Sequence, residues 1–568
     1  MKKSKLYKSL PLLILSLTGL LMSCSNVNNG GTNTGGQSDV SNNSDEFSDK
    51  DTSSVDVSEY DVAITLSSNS IACDDTTRVS VNNNVATIIK KGTYLITGSI
   101  ADGYIVVDAA DENVTLILSD ASITSKTFAG IYVANAKNVY VVLDGNNTVS
   151  NTNTFTQIDS NNVDGAIFSK DDLIFKGNGS LTVKSSDNGI VGKDDVKFIA
   201  GTYNITASKG HGIDVNESCS IADASLTINS GIDGVHVEND EGDGYFYMES
   251  GTINITSTGD GISACYYLKT IGGTIDITSG GGSNKTASSS TSSKGLKCTS
   301  EDNTNGGILV SGGTFTLNCS DDAIHSNGTV LVTGGTFTIA SNDDGMHADD
   351  YLTISNGTIN ITKSYEGLEA TYINISGGDI DVVASDDGLN AAGGNDGSGW
   401  STSSTGQLNI SGGDIYVNCS GDGLDANGTL TMSGGSVFVE GPTGNDNGAL
   451  DYDSSAKITG GVLCAIGSSG MAMNFSSATQ GSILLNSASG SSNTKITCGS
   501  YSWTASKSFS SVVVSTPEMS SASGTYTVTV GSQSYSCQLS SYLYGSSTGT
   551  PGGNGNPGGG GGPGGHGW

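Results

Sequence analysis

Leu352-Thr-Ile-Ser-Asn-Gly-Thr-Ile-Asn-Ile-Thr362 and Ile373-Asn-Ile-Ser-Gly-Gly-Asp-Ile-Asp-Val-Val383 are the stretches on which the fold turns. In each, apolar and polar residues alternate, break at a glycine and alternate again, the pattern of two short strands with one buried face. The phrase recurs. Aligning on a small residue followed by an apolar one gives Gly165, Gly189, Gly212, Gly234, Gly261, Gly295, Ala323, Gly345, Gly367, Gly388, Gly423 and Gly448. Most spacings are 21 to 28 residues, and Ser/Gly/Asn insertions lie at 279 to 294 and 393 to 406. Three short strands in a unit of about 22 residues suit one turn of a solenoid. The expectation is an all-β chain, a right-handed parallel β-helix of about twelve or more rungs, on the order of 55 Å long at about 4.8 Å per rung. The frames of leucine-rich repeats and of calcium-binding nonapeptides are absent.

The flanks differ in kind. Lys2, Lys3, Lys5 and Lys8 precede an apolar run from Leu10 to Met22, an export signal too short to span a membrane comfortably. Leu21-Met22-Ser23-Cys24 looks like a bacterial lipobox in which Cys24 is acylated, so residues 1–24 form a lipoprotein signal and the chain is tethered to a membrane by lipid alone. Residues 25–58 read as a disordered tether, 59–500 as the parallel β-helix, 501–545 as a small β-rich C-terminal cap and 546–568 as a Gly/Pro-rich tail. The chain is thus expected to be exported and lipid-anchored at a bacterial envelope or surface.

Asp and Glu outnumber Lys and Arg by 57 to 24, a formal charge of -33 over 568 residues. This balance argues against nucleic acid as a partner, because phosphate binding needs clustered cations. Cations, or neutral and cation-bridged polymers, fit better. Ten cysteines without a C-x-x-C pair argue against structural zinc, and Cys498 and Cys537 flank a short segment in which they are able to pair.

In a parallel solenoid, chemistry lies in columns. The residue before each aligned Gly or Ala reads Asp164, Asn188, His211, Asp233, Asp260, Lys294, Asp322, Asp344, Glu366, Asp387, Asp422 and Asn447. The next apolar residue points inward, and the one after it forms an outward column: Asp214, His236, Ser263, Lys297, His325, His347, Glu369, Asn390 and Asp425. Carboxylates stacked this closely need a counter-charge, and calcium accepts six to eight oxygens in flexible geometry. The metal candidates are therefore Asp343, Asp344, Glu366, Glu369, Asp386, Asp387, Asp422 and Asp425, with a second group at Asp214, Asp233 and Asp260. The competing reading is that Asp-Gly simply makes a good turn. His236, His325 and His347 suit hydrogen bonding to a ligand, with transition-metal binding as the alternative. Tyr351 and Tyr372, with Tyr266, Tyr267 and Trp400 nearby, offer flat faces for sugar rings.

Gly92-Thr-Tyr-Leu-Ile-Thr-Gly98, Asp102-Gly-Tyr-Ile-Val-Val-Asp108, Ala166-Ile-Phe-Ser-Lys-Asp-Asp-Leu173 and Asn188-Gly-Ile-Val-Gly-Lys-Asp-Asp195 follow one another in an order that resembles a family of secreted bacterial carbohydrate-binding β-helix proteins. The resemblance runs from about residue 60 to 545 and implies binding of cellulose and pectin with calcium held in the helix. Lys209-Gly-His-Gly-Ile-Asp214 departs from the family, which tends to have an acid before the glycine. The family in turn is similar to calcium-dependent β-helix pectate lyases, which implies Lys297 as the candidate base if the chain is an enzyme. The leading expectation is a surface-tethered, non-catalytic, calcium-assisted polysaccharide-binding protein. The rivals are a pectate-lyase-like enzyme and a calcium-rigidified structural or adhesive protein.

Overall fold

The computed structural model describes residues 46–239, 242–288, 290–300, 307–392 and 405–549. The signal and Cys24, most of the tether, Trp400 and the end of the tail lie outside these residues. The chain divides into two compact units, Met1–Thr52 and Ser53–Trp568. The described part of the first is a one-turn helix, Asp49–Thr52. Ser48 caps it, its hydroxyl accepting from the Asp51 N–H at 3.2 Å while Asp51 Oδ2 accepts from the Ser48 N–H at 3.0 Å.

The second unit is an all-β solenoid of about sixteen turns, mostly of parallel strands. One turn shows the construction. Ile213–Val215, Ser218–Ile221 and Ser225–Ser230 form three faces, and Ile213, Val215, Cys219, Ile221, Leu226 and Ile228 point inward with at most 1% exposure. The next turn pairs with it in register, Ile213 with Val235, Cys219 with Phe246 and Leu226 with Ile253. A single turn has no partner for its apolar row; stacking buries the row continuously, including face-to-face pairs such as Phe315 on Phe337 at 4.5 Å.

The two kinds of glycine in the repeat do different work. Gly357 and Gly378, in the two opening stretches, have φ of 112° and 100°, a backbone state that only glycine adopts readily. The aligned glycines are absent from the left-handed region; instead a Cβ on Gly367 would collide with Val382 and with the carbonyl oxygen of Gly388 on the next rung. At the aligned positions Asp-Gly is therefore a close-approach motif, whereas Gly145 of Asp144-Gly145 has a left-handed φ of 68°.

The rungs outnumber the twelve aligned in sequence because Ile105 and Ile131 already stack below Ile167. At both ends the alignment slips by one residue. Gly165 pairs with Asn188, and Leu424 bridges Leu450, so Asp164 and Asn447 fall outside the acid column. Two antiparallel hairpins, Val62–Ser67 with Ser70–Cys73 and Val79–Asn82 with Val85–Ile88, open the solenoid. At the other end Ser511–Ser515 runs antiparallel to both Val462–Gly467 and Ser482–Leu485, breaking the parallel stack. A separate four-stranded antiparallel sheet takes Lys495–Cys498, Tyr501–Thr504, Thr525–Val530 and Gln533–Gln538. Cys498 and Cys537 both lie in it, and all nine described cysteines are free thiols. Among the described residues no helix is long and apolar enough to cross a membrane.

Candidate functional site: a polar seam and a tyrosine row

The outward column exists as a register. Asp214 pairs with His236, then Ser263, Lys297, His325, His347, Glu369, Asn390 and Asp425 follow one per turn. The acid column beside it is held by a ladder. Asp260 N–H donates to Asp233 Oδ1 at 2.6 Å, Lys294 N–H to Asp260 Oδ1 at 2.7 Å, Asp344 N–H to Asp322 Oδ1 at 3.0 Å and Glu366 N–H to Asp344 Oδ1 at 3.1 Å. Asp422 N–H and Gly448 N–H continue it to Asp387 Oδ1 and Asp422 Oδ1, each at 2.5 Å. Each carboxylate thus satisfies a main-chain donor one turn away, a role that turn chemistry does not supply.

The second oxygens divide the seam in two. In the earlier turns they meet basic side chains: Asp233 Oδ2 lies 3.3 Å from His211 Nδ1, Asp260 Oδ2 3.2 Å from Lys297 Nζ and Asp322 Oδ2 2.8 Å from Lys294 Nζ. Asp214 faces Lys193 at 3.7 Å and His236 at 3.0 Å. His236 also reaches Glu238 at 2.9 Å; burial works against its charged form, but the hydrogen bonds to Asp214 and Glu238 outweigh burial and raise its pKa to about 10. Burial likewise opposes ionisation of Asp322, yet the Lys294 ammonium and His325 hold its pKa well below the usual carboxylate range. The second metal group predicted from sequence, Asp214, Asp233 and Asp260, is placed here, against built-in positive charge.

The later turns differ. Among the described residues no Lys, Arg or His lies within 4.0 Å of the carboxylates of Glu366, Asp387, Asp422 or Asp425. Burial, followed by neighbouring carboxylates, pushes all four pKa values up: Glu366 feels Glu369 and Asp344, Asp387 feels Asp422 and Asp386, and Asp425 feels Asp387 and Asp422. Asp386 accepts a hydrogen bond from Tyr365. Asn390, directly above Glu369, donates to Glu366 Oε2 at 2.7 Å and leaves its own buried Oδ1 without a partner. This set is all-oxygen, half-buried and poor in cations, but among the described residues its carboxylates form no group of three with ligand atoms within 4.8 Å of one another.

The two halves meet at His347, where Asp344 and Glu369 flank one imidazole. His347 is 3% exposed and so offers no surface to a large ligand; His325 is partly exposed. Two further acid groups come together. The first takes Asp322 of the acid column, the metal candidate Asp343 and their neighbour Asp321; the second takes Asp172, Asp194 and Asp195, which were not singled out in sequence and whose signal was the repeated Lys-Asp-Asp at 170–172 and 193–195.

Adjacent to the seam, on the second face, an outward column reads Tyr245, Tyr267, Gly307, Thr329, Tyr351 and Tyr372. Tyr245 stacks on Tyr267 at 4.6 Å and Tyr351 on Tyr372 at 4.7 Å. The continuous strand Met346–Ile354 carries both His347 and Tyr351, and Leu368–Ile375 carries both Glu369 and Tyr372, so seam and tyrosines are rigidly linked. Tyr351 is 40% exposed. Tyr245 had not been picked out in sequence.

The molecule is thus a parallel β-solenoid with an ionisable seam and an aromatic row along it. A family model described as carbohydrate-binding domain-containing protein matches residues 82–345 and 341–532, and the chain belongs to that family. A protein of Acetivibrio thermocellus with the same description is 31% identical over 161 residues, which are 27% of this chain and 56% of that protein, so the match spans little more than half of the relative. A solved structure described as a polysaccharide lyase-like protein from C. thermocellum, in a gadolinium derivative, is 28% identical with a TM-score of 0.39, covering 44% of this chain and 96% of that one.

Proposed function

We propose that this chain is a non-catalytic polysaccharide-binding protein that takes pectin-like or cellulose-like glycans along its axis, with calcium in the cation-poor acid row, and that Cys24 anchors it by lipid at the bacterial envelope. The observation that carries the reading is the tyrosine row. From Tyr267 to Tyr351 is three rungs, about 14 Å at about 4.8 Å per rung, a span of a few sugar rings; within each pair the inner faces are stacked on one another, so a glycan meets ring edges and outer faces. The acid row alone would repel an acidic glycan; calcium there reverses the local sign and bridges carboxylates. The family supports a carbohydrate ligand. Lyase chemistry is disfavoured because Lys297, the candidate base, has a side chain only 13% exposed and directed at Asp260.

The test is retention of the full chain on insoluble pectin and cellulose with calcium or chelator. Retention that falls at least tenfold in a Tyr351→Ala, Tyr372→Ala double variant supports the reading. No retention on either polymer favours a structural role, and unsaturated product absorbing in the ultraviolet on polygalacturonate would make the chain a lyase.

A further inference from the structure

Three side-chain clusters in the seam bring imidazole and carboxylate ligand atoms within 4.8 Å of one another. Two are already complete as ion clusters. In His211, Asp214 and His236, the rings stack at 4.4 Å and both nitrogens of His236 meet carboxylates. In Asp322, His325 and His347, the Lys294 ammonium sits 2.8 Å from Asp322 Oδ2, in the place a metal would need.

The third, Asp344, His347 and Glu369, is different. His347 Nδ1 lies 3.2 Å from Asp344 Oδ2 and 3.1 Å from Glu369 Oε2. One ring nitrogen carries at most one proton, so it serves one of these oxygens, and Glu369 Oε2 is left buried without a hydrogen bond. Asp344, His347 and Glu369 are 4%, 3% and 4% exposed, so water does not make up the deficit from bulk solvent. A divalent ion does what the proton cannot, binding all three atoms at once. With bonds of about 2.1 Å, adjacent ligands of an octahedral ion stand about 3.0 Å apart and those of a tetrahedral ion about 3.4 Å, which brackets both measured separations. Behind the ring, Asp349 Oδ1 lies 3.4 Å from Nε2, a charge contact without hydrogen-bond geometry, so Nε2 too is buried without a hydrogen-bond partner.

We propose that Asp344, His347 and Glu369 bind one first-row transition ion of the zinc or manganese type, chemically distinct from calcium in the acid row. Imidazole suits such ions and is a poor ligand for calcium. Two carboxylates and a neutral imidazole exactly offset a dication, whereas an imidazolium offsets only one of the two acids. Since Asp344 and His347 belong to one turn and Glu369 to the next, the ion would pin adjacent rungs where the cation-rich and cation-poor halves meet. This inference does not depend on the glycan or calcium readings.

The experiment titrates the metal-free full chain with Zn²⁺ in excess calcium and reads bound metal per chain. We expect uptake that persists in calcium and falls by one equivalent in His347→Gln and in Glu369→Gln, while His211→Gln, at the other histidine cluster, keeps it. X-ray absorption of the zinc-loaded wild type should show imidazole scattering, a readout that survives even if a variant fails to fold. Uptake unchanged in folded His347→Gln, no stoichiometric uptake, or a zinc shell without imidazole would each overturn the proposal.

Discussion

A single carboxylate in the seam has two jobs that substitution can separate. Asp387 accepts the Asp422 N–H through Oδ1 and contributes negative charge to the row. Asparagine keeps an acceptor in the same position and removes the charge. Asp387→Asn is therefore expected to leave the unfolding midpoint in chelator unchanged or higher and to weaken calcium uptake at least tenfold. Asp387→Ala strands a main-chain donor as well, at a cost of about 1–3 kcal/mol, read by urea denaturation. At this scale much was legible beforehand: the alternation rule placed His325, His347, Glu369 and Asp425 in one outward file because strand periodicity leaves no freedom. What was illegible was which acids already had partners. Lys294 appeared as an interruption of the acid column, yet it is the counter-ion of Asp321 and Asp322, and that depends on side-chain reach and burial.

The seam as an element carries a pH signature. Carboxylates of an unfolded chain titrate near about 4. In the folded acid row burial and mutual repulsion raise them, Asp422 to about 7. Between those values the folded state binds more protons than the unfolded one, so stability falls as pH rises through the window. In chelator the thermal midpoint is expected to be higher near about pH 5 than near about pH 8. Saturating calcium should flatten that difference by supplying the missing positive charge; a slope of the opposite sign would mean the row is already compensated. The tyrosine row was half legible at this scale. Tyr351 and Tyr372 stood out, but their pairing, and that of Tyr245 with Tyr267, depends on the register of the second face, which shifts between Ala348 and Tyr351.

Across the whole solenoid, each turn contacts chiefly its neighbours, so a ligand joining successive turns stabilises the stack by mass action. The repeat revealed the architecture because twenty-odd residues per unit and a glycine at a fixed place admit few alternatives. The ends were misjudged by one residue, at Asp164 and Asn447, because Gly165-Ala166 and Gly448-Ala449 each offer two small residues in succession and it is the second that stands in register. The account rests on acids distant in sequence forming a row that lacks built-in positive charge. Calorimetric titration of metal-free protein with calcium, comparing the wild type with the Asp387→Asn, Asp425→Asn double variant, tests it most directly. The account predicts saturable uptake by the wild type that is lost in the folded double variant; no uptake at millimolar calcium, or uptake that the two substitutions leave untouched, would contradict it.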